Sequence, residues 1–329
     1  LCIIVQILTI LKELIESLKK TMKLDVMSGD SEEVAYDRIP FDIPNLDKML
    51  GGGVPKKRFT LIKGNSNAGK SFLASQVVAK VQQSGGLAAW IDSELSWDAA
   101  WMEKCGVDTS SVLLVQPYTG EEAMKGVFSF LEAGVDVVVL DSIAGLIPSD
   151  VAEKVQEGDF GYSPMAWQAR FVTQSIGKIM AYLKHGSAFV AINQLRENLA
   201  SIYAPNTTPG GHGQTFFSHL ILNVRRGPWI EETVDGNKVR TGFEMKIEMD
   251  KTKVGGDSWA NTTVPFTVEG GIDVLETYIR EAIDKGVIKK TGSWYSLGDI
   301  RVQGMTSLKD AIKENEELLA QIQDDSTPN

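Results

Sequence analysis

The segment Gly64-Asn-Ser-Asn-Ala-Gly69-Lys70-Ser71 constrains the chain more than any other. It fits G-x-x-x-x-G-K-[ST] directly after the apolar run FTLIK and directly before a helix-like stretch. Glycines let backbone N–H groups wrap phosphates without Cβ clashes, and the helix N-terminus adds partial positive charge. A loop of this kind needs a strand behind it and a helix ahead of it. The rest of the chain supplies the same alternation: FTLIKG, LAAWID, VLLV, VDVVVLDS, SAFVAINQ and LILNVRR are interleaved with helix-like segments at 71–83, near 98–104 and near 121–131. Apolar runs without facial alternation predict an α/β domain with a largely parallel sheet buried on both faces. The polar turn VDGNKVR predicts a hairpin between two later strands, so that the core reaches about Val268. After EGGID the pattern turns helical on either side of GSWYSLGDIRV, which predicts a small C-terminal module.

The loop residues Gly64, Asn65, Ser66, Asn67, Ala68, Gly69, Lys70 and Ser71, with Phe72 in the first helical turn, form the candidate nucleotide-binding set. In such a loop Lys70 reaches the β and γ phosphates and Ser71 ligates Mg2+. Asp141 ends the apolar strand of VDVVVLDS, where a carboxylate orients the magnesium shell through water. WIDSEL ends another strand with Asp92 and Glu94; hydrolysis needs one carboxylate to polarise the attacking water, and on sequence alone either acid could instead be a solvated loop carboxylate. A nucleoside triphosphate with Mg2+ is therefore expected.

Composition narrows the partners. The formal charge of −10 over 329 residues excludes a surface coated in positive charge, so nucleic-acid contact must come from a local groove or from aligned subunits. Two cysteines, Cys2 and Cys105, lie far apart and fit a reducing, cytoplasmic setting rather than a zinc site. His185, His212 and His219 show no metal-ligand spacing. The apolar start LCIIVQILTILKE lacks the basic flank and cleavage site of a targeting segment. Ile4, Ile7, Leu11, Leu14 and Leu18 recur at helical spacing among charged residues, predicting an amphipathic helix that packs on its own domain or on a neighbouring subunit.

The order LDKMLGGGVPKKRFTLIKGNSNAGKS, WIDSELSWDAAWMEKCGVD, QPYTGEEA, VDVVVLDSIAGLIP, QARFVTQ, INQLREN, TPGG, KTK and GSWYS resembles the bacterial and phage RecA recombinase family over nearly the whole chain. The resemblance implies a RecA-like P-loop NTPase core, an N-terminal helix-strand oligomerisation arm and a small α+β C-terminal domain, at 31–268, 1–30 and 269–329. It implies ATP as the nucleotide and a DNA-dependent ATPase coupled to strand exchange, with Glu94 as the water-polarising residue and Gln194 as the γ-phosphate sensor that links nucleotide state to the loop after it. Trp101 matches the adenine-stacking aromatic and Asp98 the residue near the adenine amino group. Lys251 and Lys253 match the pair that reaches across the subunit interface to the neighbour's γ phosphate. TMKLDVM resembles the strand added to a neighbour's sheet, which implies head-to-tail filament growth.

The implied partners are single-stranded DNA, homologous duplex DNA and further copies of the chain. Segments 155–165 and 196–209 match the two loops that line the filament axis. Met165, Leu199 and Tyr203 match apolar positions that separate base groups; Arg170, Thr173, Arg196, Gly210 and Gly211 match backbone-binding positions; Arg225, Arg226 and Lys246 match the secondary site for incoming duplex. Where the family carries basic residues, this chain has Gly177, Asn198, Thr215 and Glu248, and its tail is less acidic, with Asp324 and Asp325 near the end. Two other readings share the P-loop. A RecA-fold ring motor is disfavoured by the N-terminal strand and the KTK pair, and a non-catalytic recombination accessory protein by Glu94.

Overall fold

The protein is described by a computed structural model covering residues 2–157, 165–195, 208–234, 237–267 and 270–324. It divides into two compact units, Leu1–Asp37 and Arg38–Asn329. The first unit holds helix α1 (Cys2–Met22), with Ile7, Leu11 and Leu14 of the expected stripe exposed. Thr21 and Met22 finish this helix and residues 23–27 join no sheet, although TMKLDVM was expected to form a strand. A strand exists through its ladder, and a segment that pairs only with another copy has none in the single chain.

The second unit opens with a short antiparallel pair, β1 (Arg38–Ile39) and β2 (Val54–Pro55), around helix α2 (Pro44–Leu50). The P-loop follows strand β3 (Phe59–Gly64) and runs into α3 (Lys70–Gln83). The alternation continues through β4 (Ala88–Asp92), α4 (Ala99–Lys104), β5 (Val112–Val115), α5 (Gly120–Glu132), β6 (Val137–Asp141), α6 (Ser149–Gln156), α7 (Met165–Tyr182) and β7 (Ala188–Gln194). The short α8 (Gly213–Phe217) leads to the long hairpin β8 (Leu220–Val234) and β9 (Asn237–Thr252), then to β10 (Asn261–Thr267) and β11 (Gly271–Ile272). These strands form one nine-stranded sheet in the order β11-β10-β9-β8-β3-β7-β6-β4-β5. It is parallel from β8 to β5 and antiparallel from β8 to β11, so the sheet continues a few residues past the expected limit at Val268.

Alternate residues of each central strand feed opposite faces. Ile62, Val139 and Ile192 join α3 and α4 in one apolar cluster, whereas Leu61, Leu140 and Ala191 join α5 and α7 in the other. Continuous apolar runs are the signature of strands covered twice. VLLV reads the same way, yet β5 closes the sheet as an edge with Leu113 and Leu114 exposed. Strand composition reports burial on two faces and cannot reveal that one lateral edge has no neighbour.

The C-terminal part packs α9 (Val274–Asp284), α10 (Met305–Lys313) and α11 (Glu316–Asp324) on a three-stranded antiparallel sheet of β12 (Lys289–Thr291), β13 (Trp294–Leu297) and β14 (Ile300–Gln303). Arg280 of α9 fastens it to the large sheet by a forked pair of bonds to Glu244 at 2.9 and 2.7 Å. Glu276 receives both Arg280 and Lys309, and Lys309 also reaches Asp273 at 2.7 Å.

Candidate active site

Strand register, more than any single residue, assembles the site. In the parallel ladders Gly64 lies opposite Gln194, and Asp92 lies opposite Asp141. Since β3, β7, β6 and β4 are consecutive in the sheet, the P-loop, Gln194, Asp141 and the WIDSEL acids emerge side by side from the carboxyl edge. Ligands of open α/β sheets bind outside this edge.

The loop itself is built on two glycines that have no room for a side chain. A Cβ on Gly64 would lie 2.0 Å from the carbonyl oxygen of Val224, and one on Gly69, at φ +95°, would lie 2.2 Å from Cε of Met245. Asn67 also adopts a left-handed conformation, φ 56°, which turns successive amides inward as an anion cradle. Lys70 is buried and donates to the carbonyl oxygen of Asn65 at 2.7 Å. Burial lowers its pKa, while Asp141 and Glu94 oppose that shift.

Asp141 is buried at the end of β6, and this desolvation pushes its carboxyl up to about 6. A hydrogen bond from the Ser71 hydroxyl holds it down, and the neighbouring Glu94 and Asp92 push it further up. A buried carboxylate that accepts from the Ser71 hydroxyl beside the phosphate loop fits a Mg2+ shell that phosphate and water oxygens would complete.

The two WIDSEL acids part company. Asp92 is fully buried and accepts from Ser96 N at 3.1 Å, Trp97 N at 2.9 Å and Gln116 Nε2 at 2.9 Å, so it organises the loop and is not solvated. Glu94 faces the phosphate loop, accepting from the Ser142 hydroxyl and from Gln194 Nε2 at 3.2 Å. The Gln194 carbonyl in turn accepts from Ser66 of the P-loop at 3.3 Å. Ser66 of the P-loop, Gln194 and Glu94 thus form one chain of hydrogen bonds.

A cleft of about 320 Å³ beside the loop is lined by Asn67, Lys70, Ser71, Trp101, Phe243 and Phe266. Asp98 caps α4, accepting from Trp101 N at 3.0 Å, and so fixes the backbone of that indole. A phosphate cradle that opens on an aromatic wall suits a nucleotide. Phe72 lines the same cleft, with its largely buried ring packed edge-on against Phe266 at 4.9 Å.

Lys251 and Lys253 lie elsewhere. Thr60 pairs with Leu220 and Leu220 with Thr252, whereas Gly64 pairs with Val224 and Val224 with Ile247. The two lysines therefore sit at the opposite end of the strands from their own P-loop, offset by about 13 Å along the strand direction at the usual rise per residue. Lys251 donates to the carbonyls of Thr215 and Phe216, and Lys253 to Phe216 at 3.2 Å. Burial and the adjacent Lys253 bring the Lys251 ammonium down to about 8.

Of the DNA residues expected from sequence, Arg196, Leu199 and Tyr203, with Asn198, lie outside the described residues, and so do 158–164 between α6 and α7. Met165 begins α7. On the same helix Arg170 is exposed, and Thr173 bonds its hydroxyl back to Ala169 at 2.7 Å. Gly210 and Gly211 take left-handed φ values of 84° and 73°. Arg225 pairs across the hairpin with Lys246 and forms an ion pair with Glu248 at 3.1 Å, while Arg226 lies over the Trp229 ring at 4.6 Å. His219 is structural: its Nδ1 accepts from Phe59 N at 3.2 Å, and burial plus Arg58 and the two lysines hold its pKa at about 4.

Sequence reasoning missed two amides. Asn193 and Gln214 are both fully buried and joined at 2.6 Å; Asn193 also bonds the Pro209 carbonyl at 2.9 Å, and Gln214 the Gly211 carbonyl at 3.1 Å. They tie the end of β7 to the chain that returns after residue 207. The one signal was a polar residue inside an otherwise apolar run, SAFVAINQ.

The model of the RecA N-terminal domain matches residues 9–272 and that of the RecA C-terminal domain residues 278–325. Similar proteins include Protein RecA of Thermus aquaticus, 35% identical over 299 residues that make up 89% of this chain and 86% of that protein. Protein RecA of Aquifex aeolicus is 36% identical over 296 residues, 88% of this chain and 83% of that protein. For Chlorobaculum parvum the figures are 37% over 276 residues, 82% and 77%.

Proposed function

The chain belongs to the RecA family, and from that premise we propose that it is an ATP-dependent recombinase, forming helical filaments on single-stranded DNA and exchanging strands with homologous duplex. The observation that carries this reading is the split nucleotide site. The cradle, Asp141, Glu94 and Gln194 share one end of the strands, while Lys251 and Lys253 stand at the opposite end. Head-to-tail stacking brings one subunit's lysines to the next subunit's phosphates, so the site is complete only in an assembly.

In this reading the P-loop amides and Lys70 hold the phosphates, and Ser71 with Asp141 holds Mg2+, directly and through water. When bound there, Mg2+ would supply positive charge to offset the negative charge developing on the phosphates. Trp101 stacks on the base, with Asp98 at its amino group. Glu94 orients the attacking water and takes its proton; Lys251 and Lys253 of the adjoining subunit stabilise the charge that develops. Gln194 leaves Glu94 to meet the γ phosphate, and the Asn193–Gln214 pair passes that motion to Thr208–Gly211. Arg170, Thr173, Arg196, Gly210 and Gly211 then bind DNA backbone, with Met165 and Leu199 between base groups, and Arg225, Arg226 and Lys246 take the duplex. Contacts to phosphates and base faces without base-edge readout give sequence-independent binding.

We assign residues 1–30 to polymerisation, 31–268 to the ATPase core and 269–329 to a C-terminal domain, and the protein to the cytoplasm. Among the described residues no helix is long and apolar enough to cross a membrane. The test is ATP hydrolysis with and without single-stranded DNA, with Lys70→Ala as background. Turnover stimulated many-fold by DNA and lost in the variant is expected; turnover indifferent to DNA would instead indicate a ring motor.

A further inference from the structure

Trp259 is the most exposed large apolar side chain among the described residues, at 90%. It occupies a left-handed backbone conformation, φ +75°, which is strained for a bulky residue and which glycine or asparagine would adopt with less cost. Exposure and strain together mean that nothing among the described residues offsets keeping an indole there.

The turn that presents it is rigid. Arg38 clamps it, donating to the carbonyls of Leu50, Gly53 and Val254. The Asp257 amide bonds Met49 O at 2.9 Å, and Ala260 bonds back to Asp257 at 3.2 Å. The glycines of LGGGVP seat it: a Cβ on Gly51 would lie 3.0 Å from Gly256 N, and one on Gly256 would lie 2.7 Å from Met49 O. An exposed tryptophan held on a fixed backbone loses little freedom on burial, which is the character of an interface anchor.

Its surroundings identify the occupant. Trp259 and Lys251 line the same cleft, together with Thr215 and the ion pair of Lys63 and Asp250 at 2.7 Å. That is the end of the strands which the proposed function turns toward a second copy. We infer that Trp259 is an intersubunit anchor, burying its indole against the nucleotide-bearing edge of the adjoining subunit and so seating Lys251 and Lys253 over that subunit's phosphates. The inference rests on the trans-lysine reading.

The test compares Trp259→Ala, Trp259→Phe, Trp259→Gly and the parent in ATP-dependent assembly on single-stranded DNA, read by light scattering against protein concentration. Loss of a central aromatic anchor raises the concentration for half assembly by roughly tenfold or more in the Ala and Gly variants, with Phe recovering much of it. Removing a strained, exposed residue leaves the thermal midpoint of the free protein unchanged or raised, most clearly for Gly, which a residue needed for folding would not do. Acrylamide quenching of the parent minus the Phe variant isolates this indole, which becomes protected on assembly. Unchanged assembly in the Ala variant, or a Trp259 signal equally quenched in free and assembled protein, overturns the inference. Failure of the parent itself to assemble with ATP and DNA would defeat the trans-lysine reading instead.

Discussion

Asp141 and Lys251 are opposite cases of one effect. Burial disfavours the charged form of each, lifting the carboxyl of Asp141 to about 6 and lowering the ammonium of Lys251 to about 8. Both must be charged for the proposed site to work, so kcat/KM for ATP rises with pH through about 6 and falls through about 8. Lys251→Arg moves the falling limb upward and leaves the rising one in place. For stability the sign at Asp141 is the reverse of the usual carboxylate. Its folded pKa exceeds the unfolded one, so the free protein gains stability as pH falls from about 6 toward 4. The charge it carries at neutral pH costs about 3 kcal/mol. Asp141→Asn should raise the melting temperature of the free protein while abolishing Mg2+-dependent turnover. At the proposed duplex site Glu248 forms an ion pair with Arg225 at 3.1 Å. Glu248→Gln frees that guanidinium: duplex affinity at low salt rises, and the slope of log K against log salt steepens by about one. An unchanged slope in a salt titration would remove Arg225 from the duplex site.

At the scale of elements, much of the sheet was legible because period and punctuation report directly on burial. The run VDVVVLDS could be nothing but a twice-covered strand ending in an acid, and GNSNAGKS fixed the turn between β3 and α3. The edge position of β5 was not legible, since VLLV carries the composition of an interior strand. Nor was the end of α1 at Met22, because TMKLDVM has no partner edge within one chain. Among site residues, Asp92 and Glu94 looked equivalent in WIDSEL; only the fold shows Asp92 consumed by three loop donors and Glu94 turned to the P-loop. Asn193 and Gln214 were illegible because their roles lie in each other. The C-terminal helices depend on Arg280, whose forked contact with Glu244 crosses to the large sheet. Arg280→Ala leaves Glu244 without its cation and Glu276 with Lys309 alone, and lowers stability by about 2–4 kcal/mol. Limited proteolysis should then cut near residue 270 well before the core is degraded, and identical digestion of variant and parent would show that the clamp contributes nothing.

For the whole molecule, the proposed function divides one catalytic site between the two ends of the sheet's strands. One end carries the cradle, Asp141, Glu94 and Gln194, and the opposite end carries Lys251, Lys253 and Trp259. On that proposal a monomer holds nucleotide without the cations that stabilise its transition state, ATP acts as a bond between subunits, and DNA acts by aligning them. The most direct test mixes two inactive proteins on single-stranded DNA: Lys70→Ala, which lacks a working cradle, and a double variant with both Lys251→Ala and Lys253→Ala, which lacks the donated cations. Each alone should be nearly inactive. In a random equal mixture about a quarter of the interfaces join an intact cradle to intact lysines, so turnover should recover to about a quarter of the parent value. A mixture as inactive as its components, or a double variant that hydrolyses ATP at the parent rate by itself, would contradict a site shared between subunits.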